Sequence, residues 1–157
     1  MTIEERVRKL ESLAEIKHLR SRYCYLLDAG DTDAWLSLFA EDAAIVSESP
    51  RGGYRGHDEL AEMITQIHDD EDRRLTKHVV YNPVIDISGD HATGRWSFEA
   101  LIQYEDGTML DIIGEYDEQY RLVDDEWNFT EITISFDFRA EFDDGWSIGD
   151  PSRGSNW

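Results

Sequence analysis

The chain has 157 residues, 40% of them apolar and 11% aromatic, which is the composition of one globular domain with a core large enough to stand alone. Thirty-five acids against 15 bases give a formal charge of −20. A surface of that sign repels phosphate, so no nucleic acid and no membrane are expected as partners. The acids run along the whole chain, as in proteins of halophilic organisms, so most of them are expected to be solvent-facing.

The first residues are charged and hold no long apolar run, so no signal peptide or spanning helix is expected, and a cytoplasmic location follows. Thr2 can cap a helix running to about Asp28, in which Ile3, Val7, Leu10, Leu13, Ile16, Leu19, Tyr23 and Leu26 or Leu27 keep three-to-four spacing. Gly30 stops it, and Asp31 caps a short second helix through Leu38 that Trp35 and Phe39 dock on the core. Ala43 to Ser47 reads as a short strand and Ser49 to Gly53 as a loop. After Gly56 a third helix carries Leu60, Met63, Ile64 and Ile67 on one side, and Asp69 to Asp72 is a charged linker.

From Leu75 onward the period is that of strands: Leu75 to Ile87, His91 to Tyr104, Thr108 to Leu122 and Trp127 to about Phe136, joined by tight turns. Helices first and a hairpin-connected meander afterwards is α+β order, with an antiparallel sheet curved strongly enough to wrap a helix. The domain is expected over residues 1–138, with an irregular tail over 139–157.

In the second long strand Trp96, Phe98, Ala100, Ile102 and Tyr104 share a face that reads as the inward one. In the first, His78, Val80 and Asn82 share a face, and His78 either points into a cavity between sheet and helix or is an ordinary strand histidine. Tyr23 sits on the buried stripe, where its hydroxyl needs a partner and, at a cavity wall, can polarise a bound carbonyl. Asp28 and Asp31 either cap the end of the first helix or stand beside His78, where a carboxylate fixes the tautomer and makes the ring a better base. Cys24 is the single cysteine and reads as a small buried residue. His18, His57, His68 and His91 have no ligand spacing, so no metal is expected.

The run Arg22-Tyr23, Asp28, Gly30-Asp31, Trp35 and Phe39-Ala40-Glu41-Asp42-Ala43, with Tyr54-Arg55-Gly56 before a helix, resembles the SnoaL-like branch of the nuclear transport factor 2 (NTF2) superfamily. Lys77 to Asn82, Gly89 to Trp96 and Glu126-Trp127 fit the same pattern. The resemblance implies a cone in which a curved sheet wraps a long helix and a pocket opens at the wide end. It implies a cofactor-independent dehydratase or isomerase for a small apolar carbonyl compound, as in scytalone dehydratase, bile-acid dehydratase and the ketosteroid isomerases. Tyr23 matches the isomerase tyrosine, whereas the isomerase aspartate falls at Ser47. Asp31 with His78 matches scytalone dehydratase, and Tyr23 and Asp28 with His78 resemble the bile-acid enzyme. Trp96, Phe98, Tyr104 and Asn82 are the expected pocket lining, with Glu115 as a second acid if its face points inward. The same family holds noncatalytic binding modules and dimerising subunits, so a small hydrophobic ligand and a homo-oligomer, dimer or trimer, are expected.

Overall fold

A computed structural model describes residues 1–47, 52–69 and 72–142. Helix α1 (Ile3–Ala29) opens with the reciprocal cap its sequence allows: Thr2 accepts from the Glu5 backbone while the Glu5 side chain accepts from the Thr2 backbone. It ends at Gly30, whose φ of 70° is left-handed and open to glycine at no steric cost. The apolar stripe packs only over its second half. Ile16, Leu19, Tyr23 and Leu27 are buried, whereas Ile3, Val7 and Leu10 are exposed.

Helix α2 (Thr32–Leu36) follows, then strand β1 (Phe39–Ser47), strand β2 (Gly53–Arg55) and helix α3 (Gly56–His68). Four long strands complete the chain: β3 (Arg73–Ser88), β4 (His91–Tyr104), β5 (Met109–Val123) and β6 (Glu126–Phe142). The expected meander is present, within one six-stranded sheet ordered β2-β1-β6-β5-β4-β3. β1 joins it by running parallel to β6, so the sheet is not wholly antiparallel. The sheet curves around α1 without closing, which is the α+β cone of NTF2-like proteins.

Three differences from the sequence reading have local causes. β1 starts at Phe39, with a register shift between Phe39 and Ala44 that hides its alternation. The residues 53–55 pair with β1 as a short strand that no periodicity marks. β6 continues to Phe142, so Arg139 to Phe142 belong to the sheet and not to the tail. A register shift between Ile113 and Gly114 leaves Asp137 unpaired, breaking the alternation at the point where the strand seemed to end. Gly114 is required there: a Cβ would run into the Ser135 carbonyl and stand 2.8 Å from the Phe98 ring. The rest of the expected tail, the loop around Ser49 and Pro50, and the middle of the charged linker lie outside the described residues.

The core sits between α1 and the concave face of the sheet. Tyr23, Trp35, Phe39, Tyr120 and Phe129 form its aromatic centre, with Tyr23 5.3 Å from Trp35 and 5.7 Å from Phe129 between ring centroids. Among the described residues no helix is long and apolar enough to cross a membrane.

Candidate active site

β3 is an edge strand, and the C-terminal turn of α1 lies against its open side. There the amide of His78 faces away from β4, and both carboxylate oxygens of Asp28 accept from it at 3.1 Å. The same carboxylate meets the ring: Asp28 Oδ1 lies 2.6 Å from His78 Nδ1. A backbone donor and a ring nitrogen therefore fix one carboxylate at three contacts. Both side chains are largely buried, 14% exposed for His78 and 12% for Asp28. Lys77 Nζ approaches Oδ2 at 3.5 Å from the solvent side.

This geometry defines the imidazole. With Nδ1–H donating to the carboxylate, Nε2 carries the free lone pair, and the carboxylate stabilises the ring once it accepts a proton. His78 pairs with Ala100, whose face is the buried one, so the histidine is on the inner side of the sheet. Asp31 does not take part. Its side chain accepts from the Ala34 amide at 3.1 Å and caps α2, which is the ordinary use of an aspartate at a helix start.

The remaining expected residues divide by depth. Tyr23 is 2% exposed and its ring is packed on all sides; burial pushes its phenol far above the usual range, so it can act only as a neutral donor. Trp96 and Phe98 belong to the filled core, Trp96 donating to the Tyr120 hydroxyl at 3.0 Å and Phe98 stacking on Tyr116 at 4.3 Å. Tyr104 lines a cleft of about 380 Å³ with Asp72, Asp106, Thr108, Leu110, Arg139 and Glu141. Asn82 is exposed at an irregularity in β3, with φ of 53°, displaced from the face of His78 by the register shift between Tyr81 and Val84. Glu115 pairs with Ser97 on the outer face and faces Arg95 at 3.9 Å; alternation puts it outside the cone, so it cannot be a second acid there. Burial raises the Cys24 thiol, which suits a core residue and not a nucleophile. Among the described residues no three His, Cys, Asp or Glu side chains gather as metal ligands.

Two features went unread in the sequence. Arg139 pairs with Ile112, Ile112 with Ala100 and Ala100 with His78, so a cation and the histidine lie on one inner-face row at its two ends. Three strand spacings separate their backbones, about 14 Å before either side chain reaches inward. Deeper, Arg20 is wholly buried and lies between the rings of Tyr23 and Tyr116, its guanidinium 4.1 and 3.9 Å from their centroids. Its Nη1 is 3.2 Å from Oε1 of Glu118, itself buried, while the Tyr120 hydroxyl donates a short hydrogen bond to the other oxygen. Burial, the largest single influence, would lower Arg20, but Glu118, Tyr116, Cys24 and Tyr23 together outweigh it and hold the guanidinium charged. Burial pushes the Glu118 carboxyl up, opposed by Arg20 and by the hydroxyl of Tyr120.

A curved sheet around one long helix, with a histidine–carboxylate pair at its edge, defines an NTF2-like cone with a site that can move a proton. The chain belongs to the SnoaL-like domain family, whose profile matches residues 8–133. A crystal structure of a candidate scytalone dehydratase from Novosphingobium aromaticivorans is 24% identical, with a TM-score of 0.78 over 85% of this chain and 89% of that one. A type 2 hexachlorocyclohexane dehydrochlorinase (LinA) gives a TM-score of 0.82 at 18% identity over 92% and 98% of the two chains. The type 3 enzyme from Novosphingobium barchaimii gives 0.77 at 19% identity over 87% and 93%. At these identities the likeness establishes the fold.

Proposed function

We propose that this protein is a dehydratase or isomerase for a small, largely apolar carbonyl compound, working by removal of a proton next to the carbonyl. The observation that carries the reading is the 2.6 Å contact of His78 Nδ1 with Asp28, held in register by the His78 amide. Dehydration and dehydrochlorination, named for two structural neighbours, share this step: a base takes a C–H proton while the leaving group departs from the adjacent carbon with its electron pair. His78 Nε2 takes the proton, Asp28 balances the imidazolium, and the proton is later returned to the product or to water. The reaction balances without a cofactor.

In this reading the buried Tyr23 hydroxyl serves as the donor to the substrate oxygen, where charge develops on the enolate. Arg139, at the far end of the row, meets the negative charge of the departing group. Asp31 has no role in this reading beyond ending the turn that presents Asp28.

The test is a panel of β-hydroxy carbonyl compounds, β,γ-unsaturated ketones and hexachlorocyclohexane, assayed in molar salt with wild type, His78→Ala and Asp28→Asn. A positioned base contributes about 10²–10⁴-fold, so both variants should fall by that order on any substrate found. Full activity in His78→Ala overturns the assignment. Tyr23→Phe keeps the ring packing and removes only the donor, so a fall in kcat at unchanged stability assigns its role, and unchanged kcat returns Tyr23 to the core.

A further inference from the structure

Helix α1 carries two apolar stripes, and the core takes only one. Ile16, Leu19, Tyr23 and Leu27 are buried, while Ile3, Val7 and Leu10 are 73, 46 and 66% exposed and Ala14, next on their line, is exposed too. At about 100° per residue the exposed set projects about 160° away from the buried one, so it stands on the back of the helix. Lys17, Ser21 and Tyr25 continue that back and are exposed as well, so among the described residues nothing covers it. We propose that a second copy of this chain docks there, its α1 lying parallel to the first and in register with it.

Charge chooses the occupant. The chain carries −20, so two copies repel over most of their surface. Residues 1–22 hold six bases against four acids, and this helix escapes that repulsion. The charges are also sorted by side. Around the helix, Glu4, Glu11 and Glu15 border the exposed stripe on one side, Arg6 and Lys17 on the other. Antiparallel helices bring like borders together and would set Glu4 against Glu11, whereas parallel helices bring opposite borders together. In the parallel register Ile3, Val7, Leu10 and Ala14 alternate as the d and a positions of a heptad. Arg6 then falls beside Glu11 of the second copy, twice by symmetry. Four side chains cannot supply the roughly 800 Å² that each partner gives to a standard interface, so the pair forms with concentration and is not permanent.

The experiment is sedimentation equilibrium from about 5 to 500 μM in about 0.3 M potassium chloride, where surface charges still act, with wild type, Leu10→Glu, Arg6→Glu, Glu11→Arg and the double swap Arg6→Glu/Glu11→Arg. The wild type should double in mass with concentration. Leu10→Glu should weaken association at least about tenfold and each single charge change about three- to tenfold, while the double swap returns to the wild-type value. All these positions are exposed, so the variants keep the fold, which melting at low concentration checks. Ile3→Cys should form an interchain disulfide on oxidation, since the parallel register brings the two residues together, and the wild type should not, since Cys24 is buried. A wild type that stays single to about 500 μM overturns the proposal. So does a Leu10→Glu that associates as the wild type does, because the copies would then meet elsewhere. A double swap no better than its singles, or a crosslink in Ile3→Cys/Ala14→Cys with none in Ile3→Cys, overturns it too, because the helices would not be parallel.

Discussion

Replacing Arg20 by methionine tests the deepest feature of this fold. Arg20 has no exposed surface and Glu118 is 2% exposed, so the variant leaves a carboxylate in the core with its cation removed. Breaking one side of such a pair costs about 3–5 kcal/mol, a large share of the roughly 5–15 kcal/mol that holds a typical domain folded. For a chain of this size that is a fall of about 6–20 °C in melting temperature. In Arg20→Met/Glu118→Gln the charge is gone, Tyr120 keeps an acceptor, and most of the loss should return, to within about 1.5 kcal/mol of wild type. The sign of the pH dependence is fixed as well. With Arg20 gone, burial, the largest influence, and Asp117 raise Glu118 against only the hydrogen bonds of Tyr120 and Trp96, and its carboxyl rises further above the unfolded value than in the wild type. A raised folded-state value favours the fold below the ordinary carboxylate range and stops favouring it as pH rises through the raised value. The deficit of Arg20→Met against wild type should therefore shrink toward acid and grow toward neutral pH. Urea unfolding by circular dichroism in molar salt, at pH 4.5 and 7, measures both. A deficit under about 1 kcal/mol at pH 7, or a double variant as unstable as the two singles summed, refutes the reasoning.

Asp31→Ala removes only a cap, so it should cost about 1 kcal/mol of stability and leave turnover unchanged, measured by thermal melting and by activity on any substrate found. Gly114→Ala forces a methyl into the Ser135 carbonyl and the Phe98 ring beside the bulge; a loss of about 1–3 kcal/mol in urea unfolding is expected, and a wild-type midpoint would mean the strand shifts freely. The charge of −20 should make the fold salt-dependent, with the melting temperature rising from 0.05 M to 2 M potassium chloride; a flat profile would remove surface repulsion as a factor.

The long helix and the four-strand meander were legible because their patterns are regular: the helix ends within a residue of where Gly30 predicts, and β4 runs from His91 to Tyr104 as its alternation says. What was hidden is where regularity fails. The unpaired Asp137 broke the alternation of β6 and placed Arg139 in a tail, although it stands on the row of His78. The sequence left Asp28 and Asp31 as equals, since both follow the same helix. Asp28 is the one at His78, because the helix continues through Ala29 and carries its carboxylate to the β3 edge, while Asp31 lies beyond the turn. Arg20 left a signal that spacing carries: it falls between Ile16 and Tyr23 on the buried stripe, and Glu118 falls between Tyr116 and Tyr120 on a buried face. A base and an acid, each alone on an apolar face, are the mark of an internal pair.

The contact between Asp28 and the His78 amide has a second consequence, for solubility. β3 ends the sheet, and a bare edge amide is a template on which another chain can add a strand. By occupying that donor with both oxygens, Asp28 places a negative charge where an incoming strand would need a carbonyl. One side chain of the helix that covers this stretch of the border thus occupies an edge donor while it orients the imidazole.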